Sequence, residues 1–164
     1  MSPTGHFAIA FASKKYATKL NIFLLLFASF FIDIVYFVSD ALGGEIKGEL
    51  SYSHSFFAAV VFSVLFYAAS LLFTRNHKVS YILGLVVFSH WILDFIVWDN
   101  LAWLPRSAQN IGLGLYSSLG LDTTNIQFNF ATVFAIVLEL LMLTIGVAMY
   151  IQSRRQIKKG ANTV

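Results

Sequence analysis

Apolar positions in this chain neither alternate nor recur on one helical face; they run on. Leu20–Ser39, His54–Thr74, Ser80–Trp98 and Ile126–Ile151 are nearly unbroken stretches of Phe, Leu, Ile, Val and Ala. Each is close to or above the roughly 20 residues a helix needs to cross a bilayer. The pattern predicts an all-α integral membrane protein, a four-transmembrane-helix bundle in a single membrane domain over residues 1–164. The connectors are residues 40–53, a short turn at Arg75–Val79 and an outer loop over residues 99–125. Two further apolar stretches are too short to span. Gly5–Ser13 is expected to lie in the interface or to dip into the bundle as a short N-terminal intramembrane helix. Ile111–Leu121 (IGLGLYSSLGL) reads as an interfacial or re-entrant segment, with Trp91, Trp98 and Trp103 as anchors nearby. The first long run follows Lys14, Lys15 and Lys19, exceeds the length of a signal-peptide core and lacks a small-residue cleavage site, so it reads as a retained span.

Composition sharpens this reading. Residues of the hydrophobic class make up 58% of the 164, charged residues 12%, and the mean hydropathy is +0.74. Such a chain is neither disordered nor a nucleic-acid binder, and the absence of Cys excludes a disulfide scaffold, thiolate ligands and a Cys nucleophile. The net charge of +3 informs mainly by position. Lys14, Lys15, Lys19, Arg75, Lys78, Arg154, Arg155, Lys158 and Lys159 fall on one side with no acid among them. The opposite connectors hold Lys47 and Arg106 beside Asp40, Glu45, Glu49, Asp99 and Asp122. By the positive-inside rule both termini are cytoplasmic, and the basic tail of residues 152–164 rests near anionic headgroups. The expected partners are membrane lipids and not nucleic acid; a homo-oligomer or a larger membrane complex stays open.

The candidate chemistry lies in polar residues placed where charge is costly. Asp33, Asp94 and Glu139 sit inside spans, as does His90, and His54 opens the second. Intramembrane ionisable groups face the bundle interior and mark function. At about 1.5 Å per residue from the basic anchors, Asp33 lies roughly 21 Å up its span, and His90 and Asp94 roughly 18 and 24 Å. Glu139 lies at roughly 22 Å, His54 at roughly 31 Å, and His6 at roughly 13 Å if its segment dips inward. His90 and Asp94 share a helix face at i, i+4, so an imidazole and a carboxylate converge there. Zinc accepts both donor types, and a bound cation offsets the cost of burying carboxylates. His6, Asp33, His54, His90 and Asp94 are therefore the candidate ligands of one divalent ion. The plainer alternatives are a His–Asp hydrogen bond that ties helices together and a Glu139 acid bonded to a neighbouring helix. A through-membrane relay is disfavoured, because the cytoplasmic halves of the spans carry almost no ionisable groups.

At these residues the chain resembles the bacterial family of membrane-bound metal-dependent hydrolases that includes a LexA-regulated inner-membrane member. The resemblance runs in order through Gly5-His6, Asp33, Ser53-His54-Ser55, Ser89-His90-x-x-x-Asp94 and Trp103-Leu104-Pro105, with a Gly-Leu-Gly-Leu-aromatic run at Gly112–Tyr116. Two motif segments differ. Ile34, Val35 and Tyr36 stand where the family often has a second Asp and a His, and Glu49, Leu50, Ser51 and Tyr52 stand where it often has His-Arg-Gly. The remaining ligands suit one ion, zinc before others, not two. The resemblance implies a hydrolase of the bacterial inner membrane acting on a lipid-like phosphoester or ester near the outer leaflet. Asp94 and Glu139 are then the catalytic candidates, Glu139 as general base, with Arg106 meeting a substrate phosphate. The alternative is a non-catalytic small membrane protein, an accessory subunit or degenerate family member, with structural His–Asp pairs.

Overall fold

The computed structural model describes residues 3–42, 52–105, 109–121 and 128–161. In order these form α1 (Pro3–Ser13), α2 (Ile22–Ala41), a 3-10 turn (Tyr52–His54), α3 (Phe56–Thr74) and α4 (His77–Val97). A two-strand ribbon, β1 (Leu101–Ala102) with β2 (Asn110–Ile111), then leads to α5 (Leu115–Ser118) and α6 (Phe130–Ala161). Four of the helices, α2, α3, α4 and α6, are long and apolar enough to cross a membrane.

Side-chain caps explain where these four start. The Asn21, Ser55, Asn76 and Asn129 side chains accept hydrogen bonds from the N–H groups of Phe23, Ala58, Val79 and Thr132, relieving donors that a helix N-terminus leaves without partners. The Asn76 cap starts α4 at His77, ahead of the apolar run that begins at Ser80. Ser55 caps α3 one residue after His54, so His54 stands in the turn that leads into the span. Arg75 ends α3 in the left-handed region, φ 49°, and its N–H returns to the Leu71 carbonyl, which allows the tight reversal into α4. Helix α6 continues past Ile151 through Arg154 and Arg155.

Helix α4 is central, with α2 and α3 flanking it. The core joins Leu25, Ala28 and Ile32 of α2 to Leu83, Val86, Val87 and Trp91 of α4, with Ala10 and Ala59 closing the sides. Large apolar side chains such as Phe23, Phe57, Leu72, Phe73 and Leu140 point outward, an arrangement that suits lipid as the surrounding solvent. Helix α1 is inserted: it lies against α2 and α4 on one side and α6 on the other, burying His6, Ala8 and Ala10. Between α1 and α2 the buried Lys14 donates through Nζ to the carbonyls of Thr18 (2.7 Å) and Leu20, satisfying that turn from within.

The segment after α4 folds back on that helix's C-terminal end. Leu113 and Gly114 donate to the Phe95 and Trp98 carbonyls. A Cβ on Gly112, at φ 137°, would stand 2.1 Å from the Trp98 oxygen, so only glycine fits this approach. Of the three expected tryptophan anchors, Trp91 is instead buried in the core, Trp98 meets Tyr116 edge-on, and Trp103 is half exposed.

Candidate metal centre

Four elements deliver five side chains to two overlapping groups, His6 with Asp33 and His90, and His54 with His90 and Asp94. His6 comes from the first turns of α1, Asp33 from α2, His54 from the 3-10 turn, and His90 and Asp94 from successive turns of α4. Asp33 Oδ1 lies 3.3 Å from His54 Nε2 and 3.4 Å from His90 Nε2. Asp94 Oδ2 lies 3.3 Å from His90 Nε2 and 3.6 Å from His54 Nε2, while its Oδ1 lies 3.6 Å from His6 Nε2. The same nitrogen of all three imidazoles therefore faces the two carboxylates. Ligands about 2.1 Å from one ion stand about 3.0–3.4 Å apart at octahedral to tetrahedral angles; the separations of 3.3 and 3.4 Å fall in that range and the two of 3.6 Å lie just beyond it.

Neighbouring groups fix the ring orientations. His90 Nδ1 lies 2.9 Å from the Ser29 carbonyl. A carbonyl can only accept, so Nδ1 carries the hydrogen and Nε2 of the neutral ring keeps a free lone pair. His54 Nδ1 meets Ser53 Oγ at 3.0 Å. The His6 ring stacks on His90 at 3.7 Å with planes 10° apart. His90 Nε2 and both His6 nitrogens are buried with no hydrogen-bond partner among the described residues. Buried orphaned nitrogens call for a missing partner, and nitrogens beside two carboxylates fit a divalent cation. Among the described residues the site is most open at Asp33 and His54: the Asp33 side chain is 16% exposed and His54 8%, against 3% or less for the other three. Tyr36 stands edge-on to His54 at that opening.

Glu139 belongs to neither convergent ligand group. Buried on α6, it accepts from the Thr4 hydroxyl at 2.7 Å through Oε2 and from the Tyr116 hydroxyl at 3.3 Å through Oε1. Burial, and then the adjacent Glu139 carboxylate, push the Tyr116 phenol above its ordinary range. Arg106 lies outside the described residues. His77, at the α3–α4 turn, meets the Tyr67 hydroxyl at 2.8 Å and takes no part in the cluster. Sequence reasoning passed over Ser29 and Thr4 and gave Ser53 and Tyr116 no role beyond their motifs. Thr4 sits two residues before His6, but the Ser29 contribution is a backbone carbonyl and leaves no residue-type signal.

Fold and site thus define a multi-pass helical membrane protein with a buried cluster of three His and two Asp. Comparison with protein-family models, curated proteins and solved structures finds no match for this chain.

Proposed function

We propose that this chain is a membrane-embedded, metal-dependent hydrolase that cleaves a lipid-like phosphoester or ester near one face of the bilayer. One observation carries the reading: three imidazole Nε2 atoms and two carboxylates converge, buried, from four separate elements. His6, Asp33, His54, His90 and Asp94 would hold one divalent ion, zinc in the first place. Such an ion supplies Lewis-acid polarisation of the scissile group and activation of water. Asp33, at the open side, accepts a proton from an entering water, and Asp94, the carboxylate within 3.6 Å of all three rings, keeps them aligned. The basic residues gather at the opposite end of the spans, which supports a reading with cytoplasmic termini and the site toward the outer leaflet of a bacterial inner membrane.

A second reading has its own support. The direct His90–Asp33 and His54–Asp33 approaches join α4 and the 3-10 turn to α2, as structural pairs in a non-catalytic protein would. Metal analysis of the purified protein separates the two. Wild type should carry about one ion per chain, lost in His90→Ala and Asp94→Ala, and should release product from lipid phosphoesters in vesicles. A metal-free, stable wild type with both variants folded would overturn the hydrolase reading and leave the structural one.

A further inference from the structure

We propose that α6, which contributes no ligand, is the element that sets the position of His6, with Glu139 and Gly146 as its positioning residues. This rests on His6 being a metal ligand. The contacts of α6 within the bundle are chiefly with α1. Two of them bracket His6 along α1. Above it, the Glu139 carboxylate accepts from Thr4 at 2.7 Å. Below it, Gly146 packs so closely on Ala8 that a Cβ would stand 2.4 Å from the Ala8 oxygen and 2.8 Å from its Cα. Those are backbone atoms and cannot rotate aside, so any side chain at position 146 must push α1 away. Positions 139 and 146 are two turns apart and share one helix face.

The choice of Glu at position 139 follows from its partners. Both described donors are hydroxyls, Thr4 on α1 and Tyr116 on α5. A carboxylate has two acceptor oxygens and takes a hydrogen from both, whereas an amide offers one acceptor oxygen, so one hydroxyl would have to turn and accept from the amide nitrogen. Glu139 thereby fastens the N-terminal end of α1 to α5. Neither His6 nitrogen has a hydrogen-bond partner among the described residues, and stacking on His90 fixes the plane of the ring but not its reach, so its aim depends on where the helix is set. This makes Glu139 a positioning residue, acting through Thr4 and the α1 backbone.

The test is Co2+ binding by the full chain in lipid nanodiscs, read by the visible absorption of the bound ion and by calorimetry. Wild type is compared with His6→Ala, Gly146→Val, Glu139→Gln, Thr4→Val and the double variant His6→Ala/Gly146→Val. Gly146→Val, Glu139→Gln and Thr4→Val should each weaken Co2+ binding by about 10- to 100-fold, as loss of a ligand's supporting shell does, and shift the absorption spectrum. The double variant should bind no more weakly than His6→Ala alone, because both changes remove the same ligand. Thr4→Val conserves shape and keeps the test open should Gly146→Val fail to fold. Wild-type affinity in all three positioning variants, beside a weakened His6→Ala, would overturn the proposal and leave the metal site standing. Additive losses in the double variant would also overturn it, pointing to general loosening of the bundle. Full Co2+ affinity in Glu139→Gln with hydrolysis abolished would make Glu139 a catalytic base instead. A wild type that binds no Co2+ would overturn the metal reading itself and this proposal with it.

Discussion

Asp94→Asn should change stability in one direction with metal and not in that direction without it. Asp94 is 2% exposed and is the carboxylate that approaches all three imidazoles. Asn keeps the shape and removes the charge. In the metal-free protein, Asp33 and Asp94 both stand within 3.4 Å of His90 Nε2, so the two carboxylates lie less than about 7 Å apart. At an effective dielectric near 20, their mutual repulsion is about 2.5 kcal/mol, and Asn also removes the cost of burying a charge. The metal-free variant should therefore match wild type or exceed it in stability. With metal the sign reverses. At a free Zn2+ concentration 100 times its Kd, wild type gains about 2.7 kcal/mol from binding. Losing a direct ligand should weaken affinity by at least the hundredfold that an outer partner can cost, which leaves a gain of about 0.4 kcal/mol.

The assay is thermal unfolding in detergent, with EDTA and with Zn2+. Wild type should gain roughly 5–11 °C on adding Zn2+, a shift appropriate to about 2.7 kcal/mol at this chain length, and Asp94→Asn should gain little. If Asp94→Asn unfolds earlier than wild type by the same margin in both buffers, Asp94 is holding helices together as a structural pair. If it keeps the full Zn2+ shift, the ligand assignment is wrong.

Two further outcomes test the scaffold. At the α3–α4 crossing a Cβ on Gly84 would stand 2.9 Å from the Ser63 carbonyl oxygen, so Gly84→Ala should destabilise by about 1–3 kcal/mol; an unchanged melting temperature would show that the helices part freely there. The raised Tyr116 phenol should stay protonated above the ordinary range of a tyrosine, and its neutral form contributes stability below about pH 10 that is lost as pH rises through the folded-state value. In a spectrophotometric titration, Tyr116→Phe should leave the number of native phenols ionising near pH 10 unchanged, and the loss of one would contradict the Glu139 contact.

The spans were legible because lipid inverts the usual rule: long uninterrupted apolar runs must be helical and must satisfy their own backbones. The boundaries were less so, since they depend on single caps. Asn76 adds three residues to the start of α4, and Ser55 leaves His54 in a turn that apolarity alone assigns to the span. The His–Asp cluster was readable from the cost of burying charge, which makes each intramembrane His or Asp conspicuous, and from the i, i+4 spacing of His90 and Asp94. Heights counted along separate helices put His6 and His54 far apart, roughly 13 and 31 Å, yet both face Asp94 at 3.6 Å. Counting residues measures distance along a helix from an assumed anchor. It registers neither that the chain turns at the buried Lys14, one residue before the Lys15 from which the His6 height is counted, nor that a 3-10 turn returns His54 toward the bundle. The apolar pattern also cannot say which helix lies beside which. An α6 facing α4 and an α6 facing α1 would have the same hydropathy, and contacts such as Gly146 with the Ala8 backbone and Glu139 with Thr4 separate them. The position of His6 is accordingly the part of the site that sequence specifies most weakly, and it depends on a glycine and a glutamate more than 130 residues away.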